Sequence, residues 1–227
     1  MKKITITIDG PAGAGKSTVS KALADRIGFV YVDTGALYRG VAYEINKAKI
    51  DYKDHEKLGK LLKEITFDCK MQKDSFKLFS NGKDISDKIR TNEISMFAST
   101  VSALPEVRSA LLGIQKNIGE KYNAVFEGRD MGTVVFPDAQ YKFFLIADLT
   151  IRADRRYKES IKDLSEQTPD DLEKLNKIEK DMKKRDHDDS TRIESPLKPA
   201  IDSIEIDSTN LNIEQVVRKI REYLIIP

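Results

Sequence analysis

The sequence predicts an α/β fold, a five-stranded parallel sheet covered by helices, and three patterns in the chain support this. An apolar strand at residues 4–9 leads into a glycine-rich turn and a helix. A continuous apolar run at residues 29–32 leads into a second helix, and similar runs recur at 123–127, 141–147 and 203–207. Short apolar runs that alternate with helical segments are typical of parallel strands buried on both faces.

The glycine-rich turn has the residues of a phosphate-binding loop. Gly10 is followed by four residues and then by Gly15, Lys16 and Ser17, which matches G-x-x-x-x-G-K-[ST] between a strand and a helix. Glycines allow backbone N–H groups to surround an anion, and the positive end of the helix dipole points at the same anion. Lys16 is expected to reach the outer phosphates of a nucleoside triphosphate, and Ser17 to bind Mg²⁺.

The first two helices have clear end signals. The first helix is expected over residues 16–27, and Gly28 is a natural end. Asp33 or Thr34 is expected to cap the second helix, which continues to about Lys49. This strand–helix–strand–helix start predicts a parallel sheet with both faces covered.

A different pattern follows at residues 50–94. A short helix is expected at 55–64, and strands are expected at 66–71 and 76–80. Asn-Gly at 81–82 is a strong hairpin signal, so these strands are expected to be antiparallel. We interpret the segment as an inserted module that caps a substrate site, although a surface insertion without that function would have the same hairpin signal.

The chain then returns to the parallel pattern. Pro105 separates two expected helices, at about 93–103 and 106–121, and the helix that starts near Thr150 is broken by a polar stretch. We interpret that stretch as a short lid. The predicted organisation is therefore a core of residues 1–49, 95–162 and 171–227, a module of residues 50–94 and a lid of residues 163–170.

Composition excludes several classes of function. Among 227 residues, 40% are hydrophobic and 33% are charged, as in ordinary globular proteins. A net charge of +2 is too small for a protein that coats nucleic acid. No window of 18 apolar residues predicts a membrane span, and because the chain enters a strand at once we expect no signal peptide. Cys69 is the single cysteine, so no internal disulfide can form. These features together lead us to expect a cytoplasmic protein without nucleic-acid or membrane partners, and we expect it to be a monomer.

Four motifs give the chain a family resemblance. GPAGAGKST, DTGALYR, GRDMGT and RDHDDSTR, in this order and at these separations, resemble bacterial-type cytidylate kinase over essentially the whole chain. The resemblance implies a P-loop nucleoside-monophosphate kinase fold. It also implies transfer of the γ-phosphoryl group of ATP to CMP, and usually to dCMP, with Mg²⁺ accompanying ATP as the co-substrate.

The resemblance assigns the donor nucleotide to the loop and to one helix. Arg152 and Arg156 lie four residues apart, hence on one helix face. By resemblance Arg152 packs on the adenine and Arg156 contacts the triphosphate; a solvated basic helix is the alternative. The implied ATP-binding residues are Gly10, Pro11, Ala12, Gly13, Ala14, Gly15, Lys16, Ser17, Thr18, Arg152 and Arg156.

The resemblance also assigns the acceptor phosphate and ribose. Thr34, Arg39 and Arg129 are implied to hold the acceptor phosphate, near a helix N-terminus. Arg185 and Arg192 are implied to contact the phosphates, and Asp189 the ribose hydroxyls. From the residues alone, Arg39 could lie on a solvated helix face, and Arg185 and Asp189 could form a surface ion pair at spacing i,i+4.

For the base, the family positions fall on Ser99, Arg108 and Asp130. Cytosine presents an amino donor beside acceptors, so a carboxylate and an arginine can read its edge. Uracil reverses that edge and would leave polar groups unpaired, which is how such sites discriminate. Ser99 is the least specific of the three, since serine in a helical stretch commonly has no such role.

Phosphoryl transfer to a phosphate needs charge neutralisation rather than a general base. The expected catalytic residues are therefore Lys16, Arg129, Arg156, Arg185 and Arg192, whereas His55 and His187 are expected on the surface. The arginines are notable because only 12 of the 39 basic residues are arginine, whose rigid fork matches phosphate.

One position departs from the family pattern. The family commonly has aspartate before GRD, and this chain has Glu127. Its carboxylate is expected to act on Mg²⁺ through water, with Asp33 as an alternative, while the longer side chain argues against a role that requires exact geometry.

Two other functions share the loop motif. The first is a kinase for another nucleoside monophosphate or for a small acid, which would not need Arg108 and Asp130 together. The second is a nucleotide switch without turnover, for which the N-K-x-D segment of GTP switches is approached only by NKIE at 176–179.

Overall fold

The computed structural model describes residues 3–72, 75–160 and 169–226. The described strands are, in chain order, β1 (Thr5–Asp9), β2 (Val30–Asp33), β3 (Phe67–Gln72), β4 (Ser75–Ser80), β5 (Lys83–Asp84), β6 (Ala124–Glu127), β7 (Tyr141–Ile146) and β8 (Ile204–Asp207). The described helices are α1 (Lys16–Ile27), α2 (Thr34–Ala48), α3 (His55–Glu64), α4 (Asn92–Val101), α5 (Pro105–Lys121), α6 (Leu149–Ser160), α7 (Pro169–Thr191) and α8 (Ile213–Arg221).

Five strands form one parallel sheet in the order β2-β6-β1-β7-β8. The central strand β1 is buried along its whole length, as expected of a parallel strand that is covered on both faces. Glu127 at the end of β6 is level with Ile8 of β1 and with Asp33 of β2. The turns that follow these three strands therefore start at the same edge of the sheet, where ligands of open α/β sheets bind.

The hydrophobic core lies between this sheet and its helices. Phe126 and Phe143, on two neighbours of β1, are among its largest buried side chains. Helix α1 packs against β2, β6 and α8. Leu23 of α1 and Val217 of α8 are fully buried in the same core. The predicted α/β fold with a covered parallel sheet is confirmed.

A second, three-stranded antiparallel sheet is formed by β3, β4 and β5. Asn81 and Gly82 both have positive φ, 47° and 77°, as the tight hairpin turn requires. This sheet packs against α2 at Gly40, where an added Cβ would lie 2.7 Å from the Leu78 side chain. The separate small sheet is confirmed, and the boundaries of the module, 50–94, stay a prediction.

The turn after GRD and the predicted lid were the two segments still to be compared with their predictions. The turn after GRD forms one π-helical turn, Met131–Val135, which the sequence analysis did not predict. Of the predicted lid at 163–170, residues 163–168 lie outside the described residues, and 169–170 begin α7. None of the helices in the described ranges is both long and apolar enough to cross a membrane.

Candidate active site

A large cavity opens at the shared carboxyl edge of β1, β2 and β6. Its volume is about 1310 Å³, above the roughly 300–1,000 Å³ of a site for one small ligand. Residues 12–18 of the P-loop, which spans residues 10–18, line one side. Side chains from the turns after β2 and β6 and from α5 and α7 line the other. The cavity is therefore larger than one small ligand requires.

The P-loop has the backbone conformation that its glycines allow. Gly10, Gly13 and Gly15 all have positive φ, and α1 begins directly after them at Lys16. The Lys16 ammonium is buried and donates to the Pro11 carbonyl oxygen at 2.6 Å. Burial, and then the charge of Arg129, lowers the pKa of Lys16 to about 7. An anion beside Lys16 would relieve both effects.

Arg152 supports the loop from behind. Its Nη1 donates to the Ala12 carbonyl oxygen at 2.9 Å, and its Nε donates to the Ala147 carbonyl oxygen at 2.8 Å. It also pairs with Asp186 of α7, whose other oxygen accepts from the Ala12 N–H at 3.1 Å. The guanidinium of Arg152 is buried against the loop backbone, and its packing on adenine stays a prediction.

The next arginines of α6 reach the cavity. Arg156 lines it, with a half-exposed side chain that pairs with Glu159 at 3.2 Å. Arg155 also lines the cavity and donates to the Ser208 carbonyl oxygen at 2.6 Å. Arg155 is thus bound to the backbone after β8, whereas Arg156 pairs only with the exposed Glu159 among the described residues.

The turn after β2 brings Thr34 and Arg39 to the cavity. Asp33 caps α2 through the Ala36 N–H at 3.0 Å, and its second oxygen accepts from Arg39 at 2.8 Å. The Thr34 hydroxyl donates to the Glu127 carbonyl oxygen at 2.6 Å. Arg39 is only partly exposed, and its buried Nε has no hydrogen-bond partner among the described residues. Arg39 is thus not on a solvated helix face.

Three arginines meet opposite the P-loop, and we name them the arginine cluster: Arg129 of the turn after β6, Arg185 of α7 and Arg192 directly after α7. Asp189, which is buried, pairs with Arg129 at 3.1 Å and lies 3.8 Å from Arg192. The alternative of a surface pair between Arg185 and Asp189 is therefore wrong. Among the described residues, buried nitrogens of Arg185 and Arg192 have no hydrogen-bond partner.

The charge in this cluster is not balanced. Burial, and then the charge of Arg129, lowers the pKa of Arg185 to about 10, and burial also lowers the pKa of Arg192. Lys16 of the P-loop is a further buried cation that faces the cluster, and the charges of Arg129 and Arg185 both help to lower its pKa. Buried cations that repel one another and keep N–H groups without an acceptor are typical of a site for a multiply charged anion.

Arg108 and Asp130 form a buried ion pair deeper in the cavity. Arg108 also donates to the Ser102 carbonyl oxygen and to the Ser195 hydroxyl, both at 3.0 Å, and its guanidinium lies over the Tyr38 ring. Burial raises the pKa of Asp130, against the opposing charge of Arg108. This pair offers a donor and an acceptor side by side to a planar polar ligand.

Ser99 lies at the cavity, whereas both histidines lie on the surface. Ser99 is half-buried and lines the cavity; its carbonyl oxygen accepts from the Ser102 hydroxyl at 2.8 Å. Exposed His55 pairs with Glu106 at 2.6 Å, and His187 is exposed on α7. The expectation that both histidines lie on the surface is confirmed.

Ser17 and Glu127 form the candidate magnesium site. The Ser17 hydroxyl donates to one Glu127 carboxylate oxygen at 2.8 Å, and the Tyr31 hydroxyl donates to the other at 2.7 Å. A hydroxyl beside a carboxylate suits a hard cation such as Mg²⁺. Asp33 is held instead by Arg39 and the α2 cap. In the described part of the chain, no group of three acidic, histidine or cysteine side chains could hold a metal by itself.

The comparisons with known proteins agree with this geometry. A sequence model described as "Cytidylate kinase" matches residues 6–225. The chain belongs to the cytidylate kinase family. It is 43% identical over 219 residues to the cytidylate kinase of Lactobacillus johnsonii, covering 96% of this chain and 93% of that protein. It is 45% identical to the cytidylate kinase of Protochlamydia amoebophila, covering 96% and 95%.

One solved structure shares the fold of this cytidylate kinase family member. A crystal structure of an uncharacterized protein from Eubacterium ventriosum has a TM-score of 0.50 and 16% identity, with 98% of each chain covered. The family resemblance predicted from the four motifs is confirmed by the family match, and the match extends from β1 to beyond α8.

Asp9 was missed by the sequence analysis of this kinase. Its carboxylate, at the end of β1, accepts from the backbone N–H groups of Met131 at 3.0 Å and Gly132 at 2.8 Å. It thereby holds the π-helical turn that follows Asp130. The only signal in the sequence is a carboxylate at the end of a buried strand, directly before Gly10. The contacts of Asp186 with the P-loop and of Tyr31 with Glu127 were likewise not predicted.

Asp9 gives a pH-dependent prediction. Burial raises the pKa of Asp9 to about 7, above its ordinary value of 3.8, against the two backbone hydrogen bonds. Between these values the unfolded chain is ionised at Asp9 and the folded chain is protonated. The free energy of unfolding of the parent should therefore fall relative to Asp9→Asn as the pH rises from 4 to 7, by at most about 1.4 kcal/mol per pH unit.

Urea unfolding of the two proteins across this pH range measures the difference. Asp54→Asn is the control, since the hydrogen bond with Lys57 lowers the pKa of Asp54 below its ordinary value of 3.8. Asp54 is therefore ionised in both the folded and the unfolded chain above about pH 5, and the pH profiles of the parent and Asp54→Asn should be nearly parallel from there to pH 7. Parallel pH profiles for the parent and Asp9→Asn would contradict the assignment.

Proposed function

We propose that this protein transfers the γ-phosphoryl group of ATP to CMP, and also to dCMP, giving ADP and CDP or dCDP. The observation that carries the proposal is one cavity with two cationic sides. The P-loop with Lys16 forms one side, and the arginine cluster forms the other, beside the buried Arg108–Asp130 pair. Membership of the cytidylate kinase family supports the same acceptor.

The donor triphosphate lies along the P-loop in this proposal. The glycines allow the backbone to approach the phosphates, and the N-terminus of α1 points at them. Lys16 exchanges the Pro11 carbonyl oxygen for a phosphate oxygen, and Arg156 approaches from α6. Arg152 and Asp186 fix the loop at Ala12 and so preserve the direction of its N–H groups.

Mg²⁺ fits beside Ser17 and Glu127, whose side-chain oxygens already lie 2.8 Å apart. When bound, Mg²⁺ would neutralise phosphate charge and orient the triphosphate. Glu127 is held by both Ser17 and Tyr31, so its extra methylene relative to aspartate still leaves the carboxylate next to the hydroxyl.

The acceptor phosphate lies against Thr34, Arg39 and the arginine cluster. Its oxygen is already anionic, so the reaction requires alignment and neutralisation rather than removal of a proton. Lys16, Arg129, Arg156, Arg185 and Arg192 supply positive charge around the group in transfer. Asp189, held by Arg129, is the acceptor for ribose hydroxyls.

The base is read by Asp130 and Arg108, with Ser99 nearby. The Asp130 carboxylate accepts from the cytosine amino group, and Arg108 donates to the ring acceptors. Uracil would place a carbonyl oxygen against the carboxylate and an N–H against the guanidinium. Because both side chains are buried, such mismatches are costly.

The remaining expectations are also proposals. The module of residues 50–94 and the lid of residues 163–170 are proposed to close over the nucleotides and exclude water, which limits wasteful ATP hydrolysis. We further propose a cytoplasmic monomer without nucleic-acid or membrane partners, in keeping with a net charge of only +2.

The test of the function is a panel of acceptors. Coupled assays of ADP release with ATP should give kcat/KM for CMP at least roughly a hundredfold above UMP, because a buried polar mismatch discriminates strongly. AMP and GMP should be poorer still. Equal rates for CMP and UMP would refute the proposal, and turnover with a small acid alone would indicate a different kinase.

The role of the arginine cluster gives a second prediction. Arg185→Ala should lower kcat by about 100-fold or more while the ATP dissociation constant changes little, since the lost charge acts mainly in the transition state. Arg26→Ala is the matched control, because exposed Arg26 pairs with Glu214 away from the cavity. Steady-state kinetics and ATP binding measure the two quantities, and an unchanged kcat for Arg185→Ala would contradict the role.

A further inference from the structure

Ser195 has an unusual backbone conformation for its position. Its φ is +50°, a left-handed value that side chains other than glycine and asparagine seldom adopt. Two other such residues in the described ranges have local reasons: Lys49 ends α2, and Asn81 forms the hairpin turn. Ser195 lies instead in the loop after α7, next to the cavity residues. The conformation has a cost that the contacts of Ser195 must offset.

These contacts join two parts of the cavity. The Ser195 hydroxyl accepts from Arg108 Nε at 3.0 Å, and the Ser195 carbonyl oxygen accepts from Arg192 Nε at 2.7 Å. A hydrogen bond from the same hydroxyl also opposes the rise that burial causes in the pKa of Asp130. One residue thus contacts the base-reading pair and an arginine of the arginine cluster.

We propose that Ser195 is a positioning residue for acceptor recognition, which fixes the plane of the Arg108 guanidinium against Asp130 and couples it to Arg192. The proposal rests on the proposed function. The guanidinium is planar, so a partner at Nε fixes the direction of all its other N–H groups. Ser102 and Asp130 hold the Nη groups, and Ser195 supplies the third contact.

Stability and recognition make opposite demands at this position. Glycine would adopt φ +50° without strain, but it has no hydroxyl for Arg108. Serine provides the hydroxyl, but its left-handed backbone conformation costs free energy. This opposition separates a recognition role from a merely structural one, because Ser195→Gly should relieve strain and still remove the contact.

The experiment compares Ser195→Gly and Ser195→Ala with the parent protein. Both variants should raise KM for CMP roughly tenfold and lower the CMP/UMP ratio of kcat/KM by a similar factor, because each loses a hydrogen bond to a charged group. KM for ATP should stay within about twofold of the parent, since the P-loop contacts are untouched. Ser195→Gly should melt at or above the temperature of the parent.

Ser203→Ala is the matched control, because the Ser203 hydroxyl donates to the Ala200 carbonyl oxygen in the same loop. It should leave both KM values unchanged. An unchanged CMP/UMP ratio in a Ser195→Gly variant of a CMP-preferring parent overturns this proposal alone. Equal increases in both KM values with a lower melting temperature also overturn it, in favour of a structural role. A parent that does not prefer CMP overturns the proposed function together with it.

Discussion

The concentration of buried positive charge at one edge of the sheet is the constraint on which the rest of the structure depends. Lys16, Arg185 and Arg192 are held in positions where burial lowers their pKa values. Such an arrangement costs free energy in the empty protein and is compensated when a phosphate enters. The scaffold must therefore be rigid enough to hold these cations together without their ligand.

Carboxylates on the surrounding elements provide that rigidity. Asp9 holds the turn after Asp130, Asp33 caps α2 and pairs with Arg39, and Asp186 holds both Arg152 and the P-loop backbone. Asp189 holds Arg129. Each carboxylate fixes a turn or an arginine, and the parallel sheet brings all of them to the same edge.

The sequence predicted the elements and the motifs well, because both are local patterns. Apolar runs identified the five parallel strands, Asn81-Gly82 identified the hairpin, and the spacing of Gly10, Gly15 and Lys16 identified the P-loop. The family resemblance indicated the second half of the site. The side-chain partners could not be predicted, since the contacts of Arg152 with Ala12 and of Arg108 with Ser195 join residues far apart in the chain. No periodicity in the sequence records such contacts.

We infer that the cavity reads cytosine with Asp130 and holds the CMP phosphate with the arginine cluster. The most direct measurement is a crystal structure of the protein with CMP. The account predicts the cytosine amino group within hydrogen-bond distance of the Asp130 carboxylate, and the phosphate against Arg129, Arg185 and Arg192. A base that points away from Asp130, or a phosphate bound outside the arginine cluster, would contradict it.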